Sequence, residues 1–221
     1  MKGTVKEAVE GAQGFDTAAP LSASTCAALV DAGMQFVIRY VSRLEPESRD
    51  LSRVELQTIL DAGLALMVAQ HVRKPGWTPS VALGAADGHR AVENTHAAGV
   101  PSGVCLWCDL EGIDGTSGGT IAYANAWTKA VQAGGYDPGV YVGFGVPLTG
   151  QQLYKNLIVR RYWRSFSRVP DVMTRGYQMV QKGERRVAGV RVDPDVIQTD
   201  HKGDRPVWLE PTLVEEPVAV S

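Results

Sequence analysis

The sequence has little of several features that mark other classes of protein. Only three of its 221 residues are cysteine, and its charges nearly balance, with a net charge of −2. A small, odd number of cysteines does not provide a disulfide framework. There is also no basic stripe of the kind that neutralises phosphates, so we expect no nucleic-acid partner.

Long apolar segments are missing as well. Residues 1–7 contain no apolar core of signal-peptide length, and no later segment is long enough to span a bilayer. We therefore expect no membrane span and synthesis in the cytoplasm.

Several common catalytic signatures are absent. The residues after Phe15 do not form a glycine-rich phosphate loop, and no Gly-x-Ser-x-Gly motif occurs. The four histidines lack the spacing of metal ligands. We expect neither a cofactor nor a metal site.

The most informative stretch that is present runs from Gly103 to Glu111. It is an apolar run of strand length that ends in Asp109 and Glu111, and it is typical of a strand buried on both faces of a parallel sheet. Alternation puts Cys105, Trp107, Asp109 and Glu111 on one face, with the two acids about 6–7 Å apart. Cys105 and Cys108 then point to opposite faces, which favours packing over redox or metal chemistry.

A repeated pattern organises the first two thirds of the chain. A helical segment, a glycine and an apolar run recur, with the glycines at Gly33, Gly63, Gly99 and Gly135. A glycine just past a helix ends it and turns the chain into a strand, so each interval suits one β/α unit. The predicted helix starts are Ser22 or Ser24, Ser52 with Glu55 as a capping box, Thr78-Pro79, and Thr116 or Ser117.

Together with strands predicted at 14–16, 157–162, 177–181 and 190–193, this pattern gives eight strands. We predict a single α/β domain over residues 1–203, a closed (β/α)8 TIM-type barrel with shortened last helices. An open doubly wound sheet is the alternative, although it normally carries a phosphate loop after its first strand. Residues 204–221 are predicted to be an extended tail, anchored by Trp208 and Leu209, that packs on the barrel or reaches a protein partner.

Acidic residues recur where the predicted strands end. Asp16 ends the first strand, Asp109 and Glu111 the fourth, and Asp193 with Asp195 the eighth. The first and last strands of a closed barrel are neighbours, so these acids should meet at one mouth. Neighbouring carboxylates raise one another's pKa, which yields a candidate general acid.

Other side chains are expected to bind substrate at the same mouth. They are Tyr141, Tyr162, Gln178, Asp195, His71 and Trp163, with Trp163 as a platform on which a sugar ring stacks. Arg160 or Arg161 could pair with one of the carboxylates and keep it ionised. Asp87, Glu93 and Glu45 are expected on solvated faces.

These residues together resemble a known family. Gly14-Phe15-Asp16, Asp109-Leu110-Glu111, Gly139-Val140-Tyr141, Tyr177-Gln178 and Val192-Asp193-Pro194-Asp195 follow the strand-end pattern of family 25 glycoside hydrolases, the barrel lysozymes. They are most similar to the related glycoside-hydrolase-like barrel domains of uncharacterised function. The resemblance implies Glu111 as proton donor and Asp109 as nucleophile or stabiliser of an intermediate. It implies Asp16 and Asp193 as supporting acids.

Two function classes remain open. The first is a lysozyme-type hydrolase that cleaves peptidoglycan or a related amino-sugar polymer. The second is a catalytically inactive barrel that binds carbohydrate or serves as a structural module of a virion or cell-envelope assembly. The second is kept because Met179 and Asp195 depart from the lysozyme pattern, and function depends on the site rather than the fold. A wall-degrading protein without an export signal would need a phage or a specialised export route.

Overall fold

The computed structural model describes residues 3–212, and eight of its strands close into a barrel. Successive strands pair in the order in which they occur, and the fifth helix is the shortest. The barrel strands are β2 (Gln13–Asp16), β3 (Phe36–Val41), β4 (Ala65–Gln70), β5 (Cys105–Leu110), β6 (Asp137–Val142), β7 (Arg161–Arg164), β8 (Met179–Gln181) and β10 (Val190–Ile197). The predicted TIM-type barrel is confirmed.

Five helices surround the barrel: α1 (Ala23–Asp31), α2 (Arg53–Asp61), α3 (Val81–Ala97), α4 (Ser117–Ala133) and α5 (Gly150–Asn156). Side chains of Ser22, Ser52 and Thr116 cap α1, α2 and α4, as predicted. The predicted start at Thr78-Pro79 is wrong, because Ser80 caps α3. Glu55 also does not complete a capping box, since its carboxylate pairs with Arg39.

The four predicted helix-ending glycines all have positive φ angles, between 84° and 92°. Each lies at the end of a helix that leads into the next barrel strand. A residue with a side chain would be strained in this conformation. The repeated pattern of the sequence therefore specifies the first four β/α units of the barrel.

One feature of the barrel differs from the prediction of eight parallel strands. Strands β2 to β8 pair in parallel, but β10 runs antiparallel to both β2 and β8. The reason is the connection between β8 and β10. The chain passes from β8 into β9 (Arg185–Val187), which forms a short hairpin with β10, and there is no crossover helix in this part of the described chain. β10 therefore enters the barrel at the mouth and runs away from it.

Two further strands lie outside the ring. β1 (Gly3–Glu7) pairs with β11 (Val207–Pro211), and β11 joins β4 through Leu209 and Leu66. β11 belongs to the predicted tail, and its Trp208 packs with Phe36 at a ring separation of 5.8 Å. The rest of that tail, residues 213–221, lies outside the described residues.

The side chains of each barrel strand divide between two cores. Cys105 and Trp107 pack inside the barrel, whereas Leu106 and Cys108 pack outward beneath the helices. This confirms the alternation predicted for β5. Within residues 3–212, no helix is long and apolar enough to cross a membrane.

Candidate functional site

A cavity of about 480 Å³ opens at the end of the barrel where the parallel strands finish. Its lining includes the four acids predicted as catalytic: Asp16, Asp109, Glu111 and Asp193. Asp16 is the last residue of β2, and Glu111 follows β5 directly. The barrel thus brings together carboxyl groups that are far apart along the chain.

Asp109 on β5 and Glu111 just after it both line the cavity, and Leu110 between them packs outward. Asp109 is 8% exposed, and burial and the nearby charge of Glu111 hold its pKa well above the ordinary value. Burial also raises the pKa of Glu111, against the effect of a backbone hydrogen bond with Phe144. The pair therefore resists ionisation more than free carboxyl groups do.

The two acids have no cationic partner among residues 3–212. The Arg43 guanidinium lies 3.5 Å from the backbone oxygen of Asp109, but it pairs with Asp87 at 2.8 Å. Arg161 pairs with Asp137 at the opposite end of the barrel. The expectation that Arg160 or Arg161 would lie near the mouth is wrong for Arg161, because β7 begins at this residue rather than ending near it.

Asp16 receives two hydrogen bonds within the site. The Tyr40 hydroxyl donates to Asp16 Oδ1 at 2.6 Å, and Gln181 Nε2 donates to Oδ2 at 2.7 Å. Burial nevertheless raises the pKa of Asp16 to about 7, with a further contribution from the charge of Asp193. Desolvation outweighs the hydrogen bonds to the charged form.

The two acids of β10 lie at different depths. Asp193 lines the cavity opposite Asp16, and burial and the charge of Glu184 raise its pKa. Asp195 is fully buried and accepts a hydrogen bond from Trp163 Nε1 at 2.8 Å. Asp195 therefore lies beneath the cavity and is not among its lining residues. Burial and the neighbouring Asp16 hold its pKa well above the usual range.

Two of the predicted binding residues do line the cavity, Tyr141 and His71. The Tyr141 hydroxyl donates to Gln181 Oε1 at 2.9 Å. His71 stacks on Tyr40 with ring centroids 5.0 Å apart, and its Nε2 lies 3.0 Å from Asp50 Oδ1. Burial lowers the pKa of His71, with a smaller contribution from the charge of Arg49.

Three other predicted binding residues do not reach the cavity. The Tyr162 hydroxyl donates to the backbone oxygen of Leu153 in the outer core, and Gln178 is buried against the backbone of Tyr162. Trp163 is 1% exposed inside the barrel. The apolar run at 157–159 leads into β7 rather than forming it, so Tyr162 and Trp163 lie within the strand and not at its end.

The residues that the sequence prediction missed are chiefly Tyr40 and Gln181, which line the cavity. Each lies two residues after an inward-facing side chain, Ile38 and Met179 respectively. The period-2 alternation of a strand would have identified both. Asp87, expected on a solvated face, is instead 3% exposed and accepts hydrogen bonds from Arg43, Arg73 and Tyr123.

Two exposed aromatic rings lie in the loops that follow β6 and β7. Phe144 is 71% exposed and Phe166 is 72% exposed. The backbone of Phe144 accepts a hydrogen bond from Gly112, next to Glu111, and Phe166 N lies 3.4 Å from Gln181 Oε1. Both rings are therefore at the same end of the barrel as the acids. Within the described part of the chain, no three or more His, Cys, Asp or Glu side chains are grouped to hold a metal ion.

Comparisons with solved structures agree with this fold. An uncharacterised protein from B. stearothermophilus matches with a TM-score of 0.66 and 16% identity, over 85% of this chain and 96% of that one. The Mycobacterium tuberculosis Tat-secreted protein Rv2525c matches with a TM-score of 0.65 and 18% identity, over 89% and 99%. A muramidase from Trichobolus zukalii matches with a TM-score of 0.60 and 14% identity, over 85% and 93%.

Family 25 glycoside hydrolases are also among the structural neighbours. No curated protein sequence matches the chain. At these identities, the structural likeness shows the shared fold. A family model, described as an Rv2525c-like, glycoside hydrolase-like domain, matches residues 27–197. The chain therefore belongs to the Rv2525c-like family of glycoside hydrolase-like domains, whose fold is related to that of the family 25 lysozymes.

Proposed function

We propose that the protein is a lysozyme-type glycoside hydrolase that cleaves peptidoglycan or a related amino-sugar polymer. The observation that carries this proposal is the position of Asp109 and Glu111, which lie on one face at an open cavity without a cationic partner in the described chain. An arginine paired with either carboxyl group would keep it ionised and unable to donate a proton. Hydrolysis of a glycosidic bond needs two neighbouring carboxyl groups, and among residues 3–212 neither of these two is paired with a cation.

Glu111 is the proton donor in this proposal. It is only partly buried and lines the cavity, so the glycosidic oxygen of a bound polymer could reach it. Its raised pKa keeps the carboxyl group protonated to a higher pH than usual. A general acid must be protonated at the start of the reaction and lose its proton to the leaving group.

Asp109 is the second carboxyl group, acting as nucleophile or as stabiliser of a substrate-derived intermediate. Burial opposes the ionised form of Asp109, and positive charge that develops at the sugar ring would favour it. Asp16 and Asp193 complete the acidic surface, and we propose that they orient the substrate and adjust the ionisation of the pair.

The side chains at the mouth of the barrel support a polysaccharide substrate. Tyr141 and His71 provide polar atoms in the cavity, and we assign the role of sugar-stacking platform to the exposed rings of Phe144 and Phe166. The carbon-bound hydrogens of a sugar ring pack well on an aromatic face. The Trichobolus zukalii neighbour, a muramidase, supports an amino-sugar polymer as substrate.

The test compares wild type with Glu111→Gln for the release of reducing ends from purified peptidoglycan. We expect wild type to release them and the variant to lose at least about 100-fold in rate, since proton transfer contributes a factor of that order. Glu93→Gln, an exposed acid on α3, is the matched control and should retain full activity. Equal background release by wild type and Glu111→Gln would reject the hydrolase, and sedimentation with the polymer would then test the binding-module alternative.

A further inference from the structure

A second cavity adjoins the acidic one and has the opposite charge. Its volume is about 420 Å³, and it shares Arg49, His71 and Val72 with the first cavity. Trp77, in its wall, donates a hydrogen bond of 2.9 Å to the backbone oxygen of Glu111. The two cavities therefore lie side by side at the mouth of the barrel, so this region has an acidic end and a basic end.

Four cations line the basic end: Arg43, Arg49, Arg73 and Lys74. Two carboxylates face them. Asp87 accepts hydrogen bonds from Arg73 at 2.6 Å and from Arg43 at 2.8 Å, and Glu47 pairs with Arg49 at 2.8 Å. Lys74 forms no ion pair within residues 3–212. The basic end keeps an excess of positive charge after its internal pairs are formed.

The same wall contains hydrogen-bonding groups without partners. The Arg43 side chain is 9% exposed, and its Nε has no hydrogen-bond partner in the described chain. The hydroxyl of Ser42, a neighbouring lining residue, is also buried and unpartnered. Unsatisfied buried donors are costly and uncommon in folded proteins. Both residues line a cavity whose charge already favours an anion, and the two atoms themselves are buried in its wall.

We propose that this basic cavity is a subsite for a carboxylate carried by the glycan substrate. The proposal rests on the proposed function and adds to it a substrate class, an acidic amino-sugar polymer. The carboxylate would belong to an acidic sugar substituent or to a peptide attached there. While a sugar ring lies over Glu111, the substituent of a nearby ring reaches the cations. Guanidinium and ammonium groups bind carboxylates through charge-assisted hydrogen bonds.

The experiment measures dissociation constants of the full chain for two pairs of muramic-acid-containing tetrasaccharides. One pair carries the lactyl group as free acid or as primary amide. The other carries a short peptide with a free or an amidated carboxyl end. We expect wild type to bind at least one free acid with a dissociation constant about tenfold lower than that of its amide. The pair that shows this preference identifies the source of the carboxylate. The preference should weaken at high salt.

Lys74→Gln tests the subsite most directly, because Lys74 lines only the basic cavity. We expect the variant to lose most of the preference for the acid while its affinity for the amide stays as in wild type. Lys155→Gln, the same change on the exposed side of α5, is the control and should keep the preference. Loss of affinity for acid and amide alike would contradict the subsite, as would a preference unaffected by Lys74→Gln.

The remaining outcomes separate this proposal from the proposed function. Equal affinity of wild type for acid and amide in both pairs would overturn the subsite and leave the hydrolase intact. Failure of wild type to bind or cleave any of the four glycans would overturn both.

Discussion

Asp16 on β2 lies directly opposite Asp193 on β10 in an antiparallel register. The pairing exists because β10 enters the barrel from the mouth, and it brings a second carboxyl group beside the first. Asp195, two residues further along β10, extends the acidic group into the barrel interior. The pKa of each of these three groups is raised. Their contributions to the stability of the folded protein should therefore all fall as pH rises.

The stability of the protein should fall as pH rises from about 4 to 7. The pKa of Asp16 is about 7 in the folded protein, against about 3.9 in an unfolded chain. Below both values the group is protonated in both states, and its contribution to stability is fully present. As pH rises, the unfolded chain ionises first, so that contribution is lost, up to about 4 kcal/mol for a shift of this size.

Urea denaturation at a series of pH values checks this expectation. Asp16→Asn removes the titrating group and should flatten the decline of the unfolding free energy between pH 4 and 7. Asp31→Asn, an exposed aspartate on α1, should leave the decline as in wild type. A slope unchanged by Asp16→Asn would show that Asp16 does not titrate in this range.

Removal of the Tyr40 hydroxyl should cost more stability at high pH than at low pH. The hydroxyl donates to Asp16, and a hydrogen bond to a charged acceptor is worth about 1.5–3 kcal/mol against about 1 for a neutral one. Tyr40→Phe should therefore destabilise the protein by more at pH 8.5, where Asp16 is ionised, than at pH 5. Chemical denaturation at the two pH values measures the difference.

Tyr154→Phe is the control for this comparison, since Tyr154 is a partly buried tyrosine that packs against the outer core. We expect its effect to be similar at the two pH values. If the cost of Tyr40→Phe is also the same at both, the hydrogen bond does not depend on the charge of Asp16.

Truncation of the exposed rings at the mouth should weaken glycan binding and leave folding intact. Phe144 and Phe166 are each more than two-thirds exposed, so Phe144→Ala and Phe166→Ala lose little buried surface. Each should raise the dissociation constant for a peptidoglycan oligomer about 3–10-fold, in line with an aromatic contact of about 0.5–1.5 kcal/mol. Val54→Ala, an exposed apolar change on α2, is the control and should change neither the dissociation constant nor the folding. Unchanged binding by both Phe variants would contradict the platform.

Gly139→Ala should destabilise the barrel. A Cβ added at Gly139 would lie 2.2 Å from Cε3 of Trp107, a fully buried ring of the barrel interior. Overpacking of this kind costs about 1–3 kcal/mol. The unfolding free energy measures the effect. Gly118→Ala is the control, because the nearest atom to its added Cβ is 3.9 Å away. A Gly139→Ala variant as stable as wild type would show that Trp107 can move.

The strand alternation was predictable where a strand is long and apolar. The run that forms β5 shows its two faces and its acidic end directly, which is why Asp109 and Glu111 were found. The short strands β7 and β8 have no comparable signal. The apolar residues at 157–159 were therefore assigned to a strand that begins only at Arg161, and Tyr162 and Trp163 were expected at the mouth. Tyr40 and Gln181 were missed although alternation points to both.

The sequence by itself determined the barrel and most of its acids, because helix-ending glycines and alternating apolar residues act locally and repeat along the chain. The direction of β10 was decided by the tertiary structure, since a strand's own residues do not specify whether its partner is parallel. The same holds for the burial of Asp87 beneath Arg43 and Arg73, and for the basic cavity beside the acidic one. The last two features arise from the packing of segments that are distant along the chain, and a local pattern does not show which of them will meet.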